Sequence, residues 1–162
     1  MTPRPPTKIV ILNDQQELRV VTCSEAVAVQ TRDAFDNPSV VTGLTNVTLT
    51  SSHTLNFYSN SACTTSINTS GNTATLPILS SSNSGTFYFK SNVSDDITVV
   101  AETTLAGAST QDTGEFKITP AAASRLVFNT TPSDTNTFFK AGNCYGAYNL
   151  ELQDRFGNPA EA

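Results

Sequence analysis

The chain has 162 residues, of which 14% are charged, with a net charge of −5, three cysteines, one histidine and no tryptophan. An acidic chain with no basic patch excludes phosphate-driven nucleic-acid binding and attachment to anionic membranes, and no run approaches the roughly 20 apolar residues that span a bilayer. About a quarter of the residues are Ser or Thr. Thr, Val and Phe favour strands while Ser, Asn, Gly and Pro favour turns, so the composition points to an all-β, many-turned domain.

In chain order, Met1-Thr-Pro-Arg-Pro-Pro6 lacks the apolar segment of a signal peptide and reads as an inter-domain linker. Period-two alternation then marks strands at Lys8–Leu12, Glu25–Arg32, Asn46–Thr50, Leu55–Tyr58, Thr73–Leu79, Thr86–Lys90, Ile97–Glu102 and Glu115–Thr119. Val27 and Val29, Val47 and Leu49, Leu76 and Ile78, Phe87 and Phe89, and Ile97, Val99 and Ala101 form their inward faces. Turn clusters separate them at 36–38, 51–52, 70–72, 80–85 and 94–96. Seven to eight short strands at this spacing predict an Ig-like antiparallel β-sandwich.

The chain also repeats itself. Cys23, Asp33, Phe35, Asn37 and Pro38 recur in the same register as Cys144, Asp154, Phe156, Asn158 and Pro159, with Val27, Val29 and Thr31 matched by Tyr148, Leu150 and Leu152. Upstream, Thr2-Pro3 before Lys8–Ile11 is matched by Thr119-Pro120 before Arg125–Phe128. The expected organisation is one complete repeat over 1–118, followed by a linker and the first strands of a second, truncated repeat over 119–162.

This register organises the cysteines. Cys144 corresponds to Cys23, and no counterpart of Cys63 follows it. A Cys23–Cys63 disulfide is therefore expected, with the natural partner of Cys144 lying beyond Ala162. Three buried free thiols are the alternative.

The Asp-x-Phe-x-Asn-Pro element has Asp36 as its fourth residue in one copy and Gly157 in the other. Both tolerate left-handed backbone, and Pro38 and Pro159 stop the strand from continuing. Asp33 and Asp154 are suited to accept N–H bonds across a tight turn completed by Asn37 and Asn158. The competing reading is calcium, held by Asp33 and Asp36 with Asp95, Asp96 or Asp112 as further oxygen ligands.

The strand followed by Asp-x-Phe-Gly-Asn-Pro resembles the bacterial Ig-like repeats of invasin- and intimin-type adhesins. The phrase Phe57-Tyr-Ser-Asn-Ser-Ala-Cys63, followed by Gly85-Thr-Phe-Tyr-Phe-Lys90, is similar to repeats of very large surface proteins of Gram-negative bacteria. The resemblance covers most of residues 1–118 and the opening of the second copy. It implies an extracellular array, attached to the cell surface, that spaces or adheres and has no catalytic residues.

No other chemistry stands out. His53, beside Ser52, reads as an exposed loop residue rather than part of a Ser-His-Asp triad, and no nucleotide-binding fingerprint occurs. The expected function is therefore a non-enzymatic structural or adhesive repeat without a cofactor. Its partners would be neighbouring repeats of the same chain and a host or prey cell-surface protein or glycan. The alternative is a carbohydrate-binding or accessory module of a secreted enzyme, using Tyr58, Tyr88, Phe138, Phe139, Tyr145 and Tyr148 as a ring platform.

Overall fold

The computed structural model describes residues 4–128, 141–142 and 149–162. Cys144, Phe138, Phe139, Tyr145 and Tyr148 lie outside the described residues. The chain divides into two compact units, Met1–Thr119 and Pro120–Ala162.

The first unit holds ten strands: β1 Lys8–Leu12, β2 Gln16–Arg19, β3 Val27–Arg32, β4 Thr45–Ser51, β5 Asn56–Tyr58, β6 Asn68–Ser70, β7 Thr73–Ile78, β8 Ser84–Lys90, β9 Asp96–Leu105 and β10 Ala108–Thr119. They form a four-stranded sheet, in the order β1-β3-β8-β5, and a six-stranded sheet, in the order β2-β10-β9-β4-β7-β6. The molecule is an all-β sandwich of the Ig-like kind. Among the described residues its pairings are antiparallel except for β2, which runs parallel to β10 from Gln16↔Phe116 to Arg19↔Thr119.

Alternation explains which faces meet. Ile9, Ile11, Val27, Val29, Phe57, Phe87 and Phe89 line the inner side of the smaller sheet, and Val47, Leu49, Leu76, Ile78, Ile97, Val99, Phe116 and Ile118 line that of the larger. Phe89 and Phe116 meet edge to face across the sandwich with ring centroids 4.8 Å apart. Phe57 and Phe87 do the same within one sheet at 5.8 Å.

Several boundaries differ from the alternation-based reading. Strand β3 begins at Val27, because Glu25 and Ala26 are exposed in the approach to it. Strand β7 stops at Ile78, leaving Leu79 on the surface. Ser84 and Gly85 belong to β8 rather than to a turn, since Ser84 pairs with Gln30 and Gly85 with Val29. Strands β9 and β10 run on into a long hairpin around Ala106-Gly107, where both residues have positive φ.

The second unit contains β11 Arg125–Phe128 and β12 Leu150–Gln153, which pair antiparallel from Arg125↔Gln153 to Phe128↔Leu150.

Candidate functional site

The turn after β3 is densely hydrogen-bonded. Asp33 is buried at its base. Its Oδ1 accepts the N–H groups of Phe35 at 2.9 Å and Asn37 at 3.0 Å, and its Oδ2 accepts the Asn37 side-chain amide at 3.2 Å and the Arg4 N–H at 3.4 Å. The Asp33 N–H donates to the Asn37 carbonyl at 2.9 Å, and Asp36, at φ 68°, turns the chain. Burial alone pushes the Asp33 carboxyl up, but these donors outweigh it and hold the group below the ordinary value of 3.8.

The turn after β12 is made the same way. Asp154 Oδ1 accepts Phe156 N–H at 2.8 Å and Asn158 N–H at 3.0 Å, while Oδ2 accepts the Asn158 amide at 2.9 Å and the Ala121 N–H at 3.0 Å. Gly157 takes the place of Asp36, with φ 94°. Here too burial pushes the carboxyl up and the hydrogen bonds outweigh it, so Asp154 sits at about 2. Outside the turns the match continues. Thr7 N–H to Arg32 carbonyl corresponds to Ser124 to Gln153, each at 2.8 Å, and Ser39 to Thr31 corresponds to Ala160 to Leu152, each at 2.9 Å. Pro38 and Pro159 each bridge back to the last residue of their strand.

The phenylalanine of each turn faces outward under an arginine. Arg4 lies 5.0 Å from the Phe35 ring centre, and Arg155 lies 4.6 Å from that of Phe156. Alternation could not assign these rings, because they lie on turns.

The other aspartates considered for calcium are dispersed. Asp36 pairs with Lys8 Nζ at 2.7 Å, Asp95 Oδ2 with His53 Nε2 at 3.2 Å, and Asp112 Oδ2 accepts the Ile11 N–H at 2.7 Å. Asp96 donates its N–H to Asp95 Oδ1 at 2.8 Å. Among the described residues no three His, Cys, Asp or Glu side chains gather in a metal-holding group.

Ser52, His53 and Asp95 do converge. Ser52 Oγ lies 3.1 Å from His53 Nδ1. The same hydroxyl accepts the Thr98 N–H at 3.1 Å, and Ser52 is exposed. The trio joins the end of β4 to the turn before β9, a contact between chain segments that local sequence could not reveal. Tyr58 and Tyr88 are cross-strand neighbours on the outer face of the smaller sheet, and Lys90 Nζ lies 5.8 Å from the Tyr58 ring centre.

Cys23 and Cys63 form a disulfide with Cα atoms 5.9 Å apart, across a sequence separation of 40. It ties the segment before β3 to the loop after β5. Beside it, Ser24 N–H donates to the Phe89 carbonyl and Phe89 N–H to Ser24 Oγ, both at 3.0 Å.

No family model matches the chain, and no curated protein matches it. Among solved structures, domains 5–6 of the S-layer protein SbsC are similar with a TM-score of 0.42 at 14% identity, over 99% of this chain and 67% of that one. The ASH/PapD-like domain 7 of human CEP192 has a TM-score of 0.41 at 12% identity, over 76% of this chain and 92% of that one. The sandwich assignment rests on the chain's own sheets.

Proposed function

We propose that the chain is a non-catalytic structural repeat of an extracellular bacterial surface array of the Ig-like, invasin/intimin type, acting as a stalk or an adhesive stretch. The observation that carries this reading is the Asp-x-Phe-x-Asn-Pro turn, built twice with the same hydrogen bonds beneath ribbons of the same register. A tandem array supplies units made to one pattern, each with its own local stability. The Cys23–Cys63 disulfide supports an oxidising compartment. The first partners are neighbouring repeats of the same chain, and a host or prey cell-surface protein or glycan is the second. The reading needs neither a cofactor nor calcium, because Asp33 and Asp154 already satisfy the N–H groups of their turns and Asp36 is paired with Lys8.

The test is thiol labelling and intact mass on the protein recovered from its native source, with protease accessibility on whole cells. A labelled mass consistent with one Cys23–Cys63 bridge, together with cleavage from outside, is expected. Reduced Cys23 and Cys63 in a protein shielded from external protease would overturn the reading.

The Tyr58–Tyr88 pair supports a second reading, in which the smaller sheet's outer face stacks on sugar rings as an accessory module of a secreted enzyme. Electrophoresis through polysaccharide-containing gels separates the two. Retardation abolished by Tyr88→Ala favours the glycan reading, and unchanged mobility across plant, microbial and animal polysaccharides favours the structural one.

A further inference from the structure

The larger sheet ends on one side at β2, and among the described residues no strand pairs with the outer edge of β2. Its pairing with β10 fixes which backbone groups lie on that edge. Val20 N–H donates to the Thr119 carbonyl, and in a ladder alternate residues of a strand turn to the same neighbour. Gln16 and Leu18 therefore face β10 as Val20 does, while Glu17 and Arg19 turn their N–H and carbonyl groups outward. The Arg19 carbonyl takes the Thr22 N–H at 3.1 Å and keeps a second lone pair. An open groove of about 630 Å³ lies beside this edge, bordered by Asn13, Glu17, Arg19 and Thr22.

Charge decides what fits there. Asp96, Lys117 and Glu17 stand in one row on the outer face, through the pairs Asp96↔Lys117 and Lys117↔Glu17. The row alternates in sign, with Lys117 Nζ 3.7 Å from Glu17 Oε1, and it stops at Glu17, whose side chain is 61% exposed. Arg19, two residues on, stands opposite Thr119, is exposed, and makes no ion pair among the described residues. A cation would continue the row beyond Glu17, and an anion would complete Arg19. The strand that carries both in the required order, when it runs antiparallel, is β2 itself.

We infer that the outer edge of β2 is a self-association site, where a second copy of the chain docks β2 to β2, antiparallel, about a two-fold axis at Leu18. Glu17 of each copy then stands opposite Arg19 of the other, and their outward N–H and carbonyl groups meet as a hydrogen-bonded pair. The row runs Asp96, Lys117, Glu17 and Arg19 of the second copy, negative and positive in turn. Moving the axis to Glu17 would set carboxylate against carboxylate, so charge fixes the register. The interface is isologous and joins two six-stranded sheets edge to edge. Short charged edges ordinarily repel pairing, but the order of charges makes this one a match for itself. The edge is short, so the dimer is weak and forms toward millimolar protein. The inference stands on the first unit alone and needs nothing from the array reading.

The test is sedimentation equilibrium and amide exchange on the 162-residue chain between micromolar and millimolar protein. Reversible dimerisation is expected, with exchange at Glu17 and Arg19 slowed about twofold or more across that range. Glu17→Arg and Arg19→Glu, each alone, set like charges against each other in a pair of identical copies and should stay monomeric. Mixed in equal amounts, the two variants make every facing pair opposite in sign, and dimerisation should return. The wild-type measurement decides even where a variant fails to fold. A wild-type monomer at millimolar protein, or a dimer that leaves exchange at Glu17 and Arg19 unchanged, overturns the inference. So do folded variants that associate as readily alone as mixed.

Discussion

Asp33 and Asp154 each gather N–H groups from two places, their own turn and a residue far upstream, Arg4 or Ala121. A carboxylate suits this role because it accepts several bonds at once without having to donate. The local part of each turn was legible in the sequence, since Asp, Asn and Pro stand at turn spacing. The upstream bonds were not, because they depend on how β1 and β11 align with their partners. The pH consequence follows from the lowered carboxyls. A folded-state pKa below the unfolded value adds stability above the unfolded value and loses it as pH falls through the folded one. For Asp154, held at about 2 against an ordinary 3.8, the loss spans the interval between those values. Acid titration followed by amide NMR should show the second unit weakening across that window. Asp154→Asn should lower stability at pH 7, by turning an amide toward N–H donors, and should flatten the acid response. Position 157 gives a separate test. Its φ is 94°, and a Cβ added there would stand only 3.0 Å from the Arg125 guanidinium, so a branched side chain is disfavoured. Gly157→Val should destabilise the second unit by about 1–2 kcal/mol, whereas Asp36→Gly should alter the first by about 1 kcal/mol or less through the exposed Lys8 pair, both read by denaturant titration.

At the scale of elements, the strands found by alternation bring two or more inward apolar residues, counting for β5 the buried Leu55 just before it together with Phe57. Strand β2 has only Leu18 to bury and β6 has no apolar residue, so neither carries a periodic signal. They are strands because β10 and β7 offer them edges to pair with. The disulfide encloses β3, β4 and β5. Closing a loop of that size stabilises by about 4 kcal/mol in the chain-entropy account. Cys63→Ser, or reduction of the wild-type chain, should lower the first unit's unfolding free energy by about that amount in urea titrations with and without reductant. Phe87, fully buried against Phe57, should cost about 3–5 kcal/mol when cut to alanine.

For the whole molecule, the sandwich was readable because its inward faces leave a period-two pattern along the chain. The unequal environment of the two matching ribbons, with Ile9 and Val29 buried but Leu126 and Leu150 exposed, was not, because burial depends on what lies across the space between sheets. Stability should be distributed accordingly. Amide exchange should be slowest in β9 and its neighbours β4 and β10, at the centre of the larger sheet, and fastest in β11 and β12. The parallel pairing of β2 with β10 has a mechanical meaning. A first unit drawn out from its two ends, once β1 has given way, loads β2 toward its start and β10 toward its finish. Because the two strands run the same way, the pull acts along them in opposite senses, so the ladder from Gln16↔Phe116 to Arg19↔Thr119 must slip in shear as a block rather than open bond by bond like a zip.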